Sequence, residues 1–141
     1  MTGWLLDTNV LSELRKPRPH PGVVSFVQDK PLEALFISTV TLAEIRYGIA
    51  LAPEQGKRLE LEQWLDTRMR PMFEGRVLPI DEAVMVVWRM LVDSGRKRGH
   101  TFSQPDLIIA ATAKHHTLTL VSRNTRDYVQ AEITTLNPWD T

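Results

Sequence analysis

The chain contains no cysteine. That excludes a disulfide scaffold, a thiol nucleophile and a thiolate zinc site, and it suits a reducing compartment. No apolar run approaches the ~18–20 residues of a membrane span. The amino terminus, MTGWLLDTNV, has no basic flank and carries an acid too early for a secretory signal. An excess of charge is also missing, since 17 Lys and Arg balance 17 Asp and Glu. A whole-chain electrostatic footprint for nucleic acid is therefore absent, and any such contact must come from a local patch. There is no phosphate-binding glycine loop, no dinucleotide fingerprint and no nucleophile elbow. His115 and His116 are adjacent and not four apart, so they do not share a helix face as a zinc pair would.

What is present reads as an ordinary globular chain of 141 residues, 43% apolar and 24% charged. One domain over residues 1–141, soluble and cytoplasmic, is the expectation. Short apolar runs occur at Trp4–Leu6, Leu35–Ser38, Val77–Ile80, Leu118–Val121 and, more weakly, Ile133–Leu136. Helical spacing lies between them. Val84, Val87, Trp88, Leu91 and Val92 make one stripe, and Leu59, Leu61, Trp64, Leu65 and Met69 a less regular one. Met69, Met72, Met85 and Met90 read as core or interface filler, and the Trp64 and Trp88 helices as a possible homodimer face. Strands alternating with helices predict an α/β fold with a central parallel sheet covered on both faces.

Three acids follow this rhythm. Asp7 closes the first apolar run, Glu44 lies one turn beyond the second, and Asp106 falls in the first turn of a late helix. In a parallel sheet the carboxyl ends of the strands share one edge, where sites gather. Carboxylates converging there repel one another, and a divalent cation resolves the conflict. Hard oxygen ligands without cysteine or spaced histidines point to Mg²⁺ or Mn²⁺. A plainer reading stands beside this one. Thr41-x-x-Glu44 and Ser103-x-x-Asp106 both match the capping box, and Asp7 can be a helix cap.

Four blocks in order carry a resemblance: Leu5-Leu6-Asp7-Thr8-Asn9-Val10-Leu11, Ser38-x5-Glu44-Ile45-x2-Gly48, Asp106 to Ala113, and Leu118 to Asn124. Together they resemble PIN-domain ribonucleases, and among these the VapC- and FitB-like toxins. The tail Leu136-Asn137-Pro138-Trp139 is similar to the closing segment of FitB-like members. The resemblance implies a three-layer α/β/α domain with about five parallel strands and a Mg²⁺- or Mn²⁺-dependent endoribonuclease site. It implies an RNA substrate, a homodimer, and a small DNA-binding antitoxin that holds the enzyme inactive. Asp7, Glu44 and Asp106 correspond to the family's first three acids, and Asn124 stands where many members carry a fourth. An amide adds no charge, which leaves a second metal site open.

Asp127 is a candidate to compensate, or a solvated acid. Asp7 is expected as the central ligand, with Glu44 and Asp106 direct or through water. Thr8 is expected to steady the Asp7 carboxylate, and Asn9 and Asn124 to orient water or phosphate. Arg96-Lys97-Arg98-Gly99-His100 precedes Asp106 and offers Arg96 and Arg98 as backbone contacts, or else a basic helix end closed by glycine. Arg15-Lys16-Pro17-Arg18 reads as a solvated loop, and Arg46 faces either the site or the antitoxin. Three other functions fit parts of the pattern: a housekeeping RNA-processing nuclease, a Mg²⁺-binding signalling domain phosphorylated on aspartate, and a catalytically idle binding module.

Overall fold

Each apolar run becomes a strand, and a proline shortens one of them. A computed structural model describes residues 3–99 and 103–140, excepting the side chains of Asp127 and Gln130. Its strands are β1 (Trp4–Leu6), β2 (Leu35–Ser38), β3 (Val77–Leu78), β4 (Thr119–Val121) and β5 (Thr135–Leu136). β3 stops at Leu78 because Pro79 has no N–H to donate to the ladder. The strands form one sheet in the order β3-β2-β1-β4-β5, and every pairing is parallel.

Helices cover both faces. α1 (Thr8–Leu14), α2 (Pro21–Asp29), α3 (Thr39–Ala50), α4 (Gln55–Trp64) and α5 (Arg70–Met72) precede β3; α6 (Glu82–Lys97) and α7 (Gln104–His115) lie between β3 and β4. The pleat assigns side chains to two cores. Leu5 and Leu120 join Val84, Leu91, Leu107, Ile109 and Tyr128 on one face. Leu6, Val121, Leu35 and Ile37 join Val10, Leu11, Ile45 and Phe73 on the other. This is the expected α/β/α sandwich.

Strands of two to four residues carry too few ladder bonds to hold a sheet alone. Leu5, Leu6, Leu35, Ile37, Leu120 and Val121 are wholly removed from solvent, each contributing about 1.5–3 kcal/mol of transfer free energy. Burial on both sides therefore fixes the strand ends from which the site is built.

Two helices show why their stripes differ in clarity. α6 is regular: Val84 and Leu91 are buried, Val87, Trp88 and Val92 half-buried, and Asp81 caps it by accepting from the Val84 N–H at 2.9 Å. It ends at Arg98 and Gly99, the latter at φ +70°, a conformation glycine adopts without strain. α4 instead passes through a π turn (Leu65–Met69) into α5. Pro71 lies just beyond, and its ring and missing N–H disrupt the regular ladder and widen the preceding turn. That widening slips the apolar register. Among the described residues no helix is long and apolar enough to cross a membrane.

Candidate active site

The chain lays β2 and β3 on one side of β1, then β4 and β5 on the other, so strand order reverses at β1. A crevice opens outside the carboxyl ends at such a point. Asp7 is the residue after β1 and Ser122 the residue after β4. The Asp7 backbone N–H still donates to Val121 O at 2.9 Å, extending the strand pairing by one residue before α1 begins. Its carboxylate is held on both oxygens. Oδ1 accepts from the Thr8 N–H (2.7 Å), and Oδ2 accepts from the Ser122 hydroxyl (2.7 Å) and the Tyr128 hydroxyl (3.2 Å). Asp7 is thus a cap, as the plainer reading required, but only one oxygen caps.

Asp7 is 4% exposed. Burial pushes its carboxyl above the ordinary range, and the Glu44 charge pushes the same way, against the three hydrogen bonds that favour the anion. Ser122 fixes the direction of this network. Its oxygen accepts from Asn9 Nδ2 and from the Asn124 N–H, both at 3.1 Å, so its own proton is left to point at Asp7. Asn9 Oδ1 in turn accepts from the Arg123 N–H at 3.3 Å, tying the β1–α1 turn to the end of β4.

Glu44 stands in the second turn of α3. The cap of that helix is Ser38, whose hydroxyl accepts from the Val40 N–H at 3.0 Å. Thr41 and Glu44 are therefore inside the helix, and the capping-box reading of that pair is corrected. Glu44 Oε1 accepts instead from the Thr8 hydroxyl at 2.7 Å, with the Thr41 hydroxyl 3.1 Å from Thr8. Thr8 divides its work: its backbone serves Asp7, its hydroxyl Glu44. Asp106 is the third residue of α7, after Pro105, and the helix's cap residue Ser103 makes no side-chain capping bond.

Asp7, Glu44, Asp106 and Asn124 line one cleft of about 400 Å³, together with Thr8 and Asn9. Arg96 and Arg98 are not among its lining residues, and Arg98 pairs with Glu132 across the end of α6. Asp127 sits in the 3-10 turn Thr125–Ala131, but its side chain lies outside the described residues, as does His100. Arg46 is exposed on α3 and belongs to a separate groove with Glu62 and Arg70.

The same stretch of chain, residues 4–133, matches the PIN domain family. The chain belongs to the PIN-domain family. It is 38% identical to toxin FitB of Neisseria gonorrhoeae over 96% of this chain and 97% of that one. It is 33% identical to VapC ribonuclease Y4jK of Sinorhizobium fredii over 96% and 97%. A solved structure of FitAB bound to an IR36 DNA fragment superposes with a TM-score of 0.91 at 36% identity, over 96% of this chain and 95% of that one.

This PIN domain supplies only hard oxygen donors at the crevice. Among the described residues no three Asp, Glu or His side chains are already gathered tightly enough to cage an ion. Mg²⁺ does not need such a cage, because it is held through one or two carboxylates and keeps several waters. Asp7 meets its requirement from the other direction: a buried carboxyl, raised by desolvation and by a neighbouring carboxylate, is relieved by a cation on its open side. Asp7, Glu44 and Asp106 are the side chains of the cleft whose chemistry suits a hard divalent cation, directly or through water.

Sequence reading did not place several other residues in this cleft. Lys16, placed in a solvated loop, is exposed yet lines the cleft and pairs with Glu13 at 3.0 Å. Glu13, Arg123 and Trp139 line it too. Ser122 and Tyr128 carry no periodic signal. A buried tyrosine hydroxyl needs a partner, and only the folded chain shows that the partner is Asp7.

Proposed function

We propose that this PIN domain is a divalent-cation-dependent endoribonuclease and the toxin of a toxin–antitoxin pair. The observation that carries the reading is the meeting of Asp7, Glu44 and Asp106, from three distant parts of the sequence, in one cleft at the sheet's carboxyl edge. The names of its relatives, a toxin and a VapC ribonuclease, support it.

Asp7 is the central ligand, pre-aimed by Thr8, Ser122 and Tyr128. Glu44, steadied by the Thr8 hydroxyl, and Asp106, set by the first turn of α7, complete the donor set. A divalent cation such as Mg²⁺ or Mn²⁺, if held by these residues, would supply positive charge for the phosphodiester and acidity for the attacking water. Asn124 orients water or phosphate without adding negative charge, and Asn9 holds Ser122 in place. Asp127 is a further candidate for the ion's waters, by its place three residues beyond Asn124.

In this reading the working form is a cytoplasmic homodimer of one-domain chains, restrained by a small DNA-binding antitoxin. The FitAB complex on DNA supports such a partner. So do two apolar surfaces, Met85, Val86 and Met90 along α6 and Tyr47 with Leu51 at the end of α3. A phosphate-accepting signalling domain is disfavoured, since β1 ends in a single acid and β4 is followed by Ser122 and not lysine.

The test is cleavage of a mixed RNA pool with Mn²⁺, with and without EDTA, beside the Asp7→Asn protein. Cuts that need metal and Asp7 are expected. An RNA pool left intact by the wild type under these conditions sinks the nuclease reading in favour of an idle module. Cleavage without any small DNA-binding partner encoded beside the gene favours a housekeeping nuclease.

A further inference from the structure

One buried acid of the cleft has no part in the chemistry above. Glu13, 7% exposed at the end of α1, accepts from Lys16 Nζ (3.0 Å), from the His20 N–H (2.9 Å) and from the Trp139 indole. Its bonds join three segments: the end of α1, the loop before α2 and the carboxyl-terminal tail. The tail is tied again on its other side. The Trp139 N–H donates to Asn137 Oδ1 (2.9 Å), Asn137 Nδ2 donates to Arg123 O (3.2 Å), and the Arg123 guanidinium lies 5.5 Å from the centre of the Trp139 ring.

We propose that Lys16, Arg123 and Trp139 form a nucleotide-binding wall in the cleft that the acids line, taking the phosphate and base of an unpaired nucleotide next to the scissile bond, with Glu13 as its positioning residue. This rests on the nuclease reading and extends it. A cleft of carboxylates repels a polyanion, and a chain of 17 positive and 17 negative residues offers no general attraction to offset that. Among the described residues Lys16 and Arg123 are the cations lining the cleft. Lys16 has three donors and gives one to Glu13, so two remain for phosphate oxygens. The Arg123 guanidinium lies over the half-buried Trp139 ring, which packs on the core behind it, and a guanidinium plane backed by an indole is a surface on which single-stranded bases stack. Glu13 holds that surface, its own charge answered by three donors.

The test uses the full-length protein, Mn²⁺ and a short RNA carrying a mapped cut site, alongside the same RNA made abasic at the nucleotide on either side of the cut. Trp139→Leu should raise KM roughly five- to hundred-fold on the normal RNA and leave KM unchanged on the abasic RNA that lacks the stacked base. Trp139→Phe, which keeps an aromatic ring but loses the indole bond to Glu13, should recover most of that loss. Lys16→Ala and Arg123→Ala should each raise KM and flatten its salt dependence by about 0.7 in log–log slope. Glu13→Gln should reproduce the Lys16→Ala KM with kcat kept. Should Trp139→Leu lower the melting temperature, the wild type decides alone: one abasic substitution must raise KM by the same factor. Equal effects of Trp139→Leu on all RNAs, an unchanged salt slope, or losses confined to kcat overturn the wall while metal-dependent cleavage by the wild type leaves the nuclease reading intact. No cleavage by the wild type overturns both.

Discussion

Ser122→Ala tests the reasoning where it is most specific. The Ser122 hydroxyl is fully buried and uses all its capacity, donating to Asp7 and accepting from Asn9 and Asn124. Removing it takes a charge-assisted bond from Asp7, worth about 1.5–3 kcal/mol. Asn9 is half-buried and Asn124 exposed, so water replaces their lost acceptor at little cost. A net loss of about 2–3 kcal/mol follows, or about 6–10 °C in melting temperature for a chain of this size. The functional effect is separate. Without Ser122 the Asp7 carboxylate is aimed by Thr8 and Tyr128 alone, and loss of such a supporting bond raises the metal concentration for half-activity by about 10–100-fold. The bond also favours the ionised form, so its removal raises the Asp7 pKa further. The acid limb of the rate–pH profile therefore moves to higher pH. Calorimetry and Mn²⁺ titrations of RNA cleavage across pH check all three. A variant that melts lower but keeps the wild-type metal dependence and acid limb would falsify the role given to Ser122 and reduce it to a packing residue.

Asp7→Asn should abolish cleavage while the protein stays folded, with a metal-free melt in EDTA at neutral pH within a few degrees of the wild type, because relief of the buried charge offsets the loss of one accepting oxygen. The folded Asp7 has a raised pKa, so between the ordinary value and the raised one the folded state holds a proton that the unfolded chain has released, and stability falls as pH rises through that window. Asparagine escapes this loss of stability, and a metal-free melt that leaves no folded protein contradicts the offset. Thr8→Val keeps the shape but removes the hydroxyl that steadies Glu44; cleavage should fall about 10–100-fold with a melting change of only a few degrees, measured by turnover and circular dichroism. Thr117, just past the end of α7, holds φ at 55°, which costs a β-branched residue about 1–2 kcal/mol. Thr117→Gly should therefore raise stability by about 1 kcal/mol at most in urea unfolding, and any loss refutes the assignment of strain there.

The sheet and its first acid were legible because both follow from short-range pattern. Leu5 and Leu6 are apolar because a central parallel strand is buried on both faces, and Asp7 marks its end. The capping pattern at Thr41 and Glu44 misled for a local reason: Ser38, three residues earlier, already caps α3, and spacing cannot say which of two hydroxyls comes first. The π turn was visible only as an irregular stripe between Leu59 and Met69, since Pro71 disturbs the turn before it. The polar partners of Asp7 were out of reach. Ser122 and Tyr128 lie more than a hundred residues away, and hydrogen bonds at that separation depend on which strands become neighbours. Lys16 was hidden by its prolines and arginines, which describe a surface loop correctly but not which surface.

α1 has seven residues, about 10 Å of helix, with Asp7 capping its start and Glu13 near its end. One rigid rod thus carries both the anchor for the ion and the anchor for Lys16 and Trp139, so the gap between chemistry and grip is counted in helical residues. Adding or deleting a single residue inside it would swing Glu13 by about 100° around the axis and unhook the tail from the cleft, while the carboxylate at its other end stayed put.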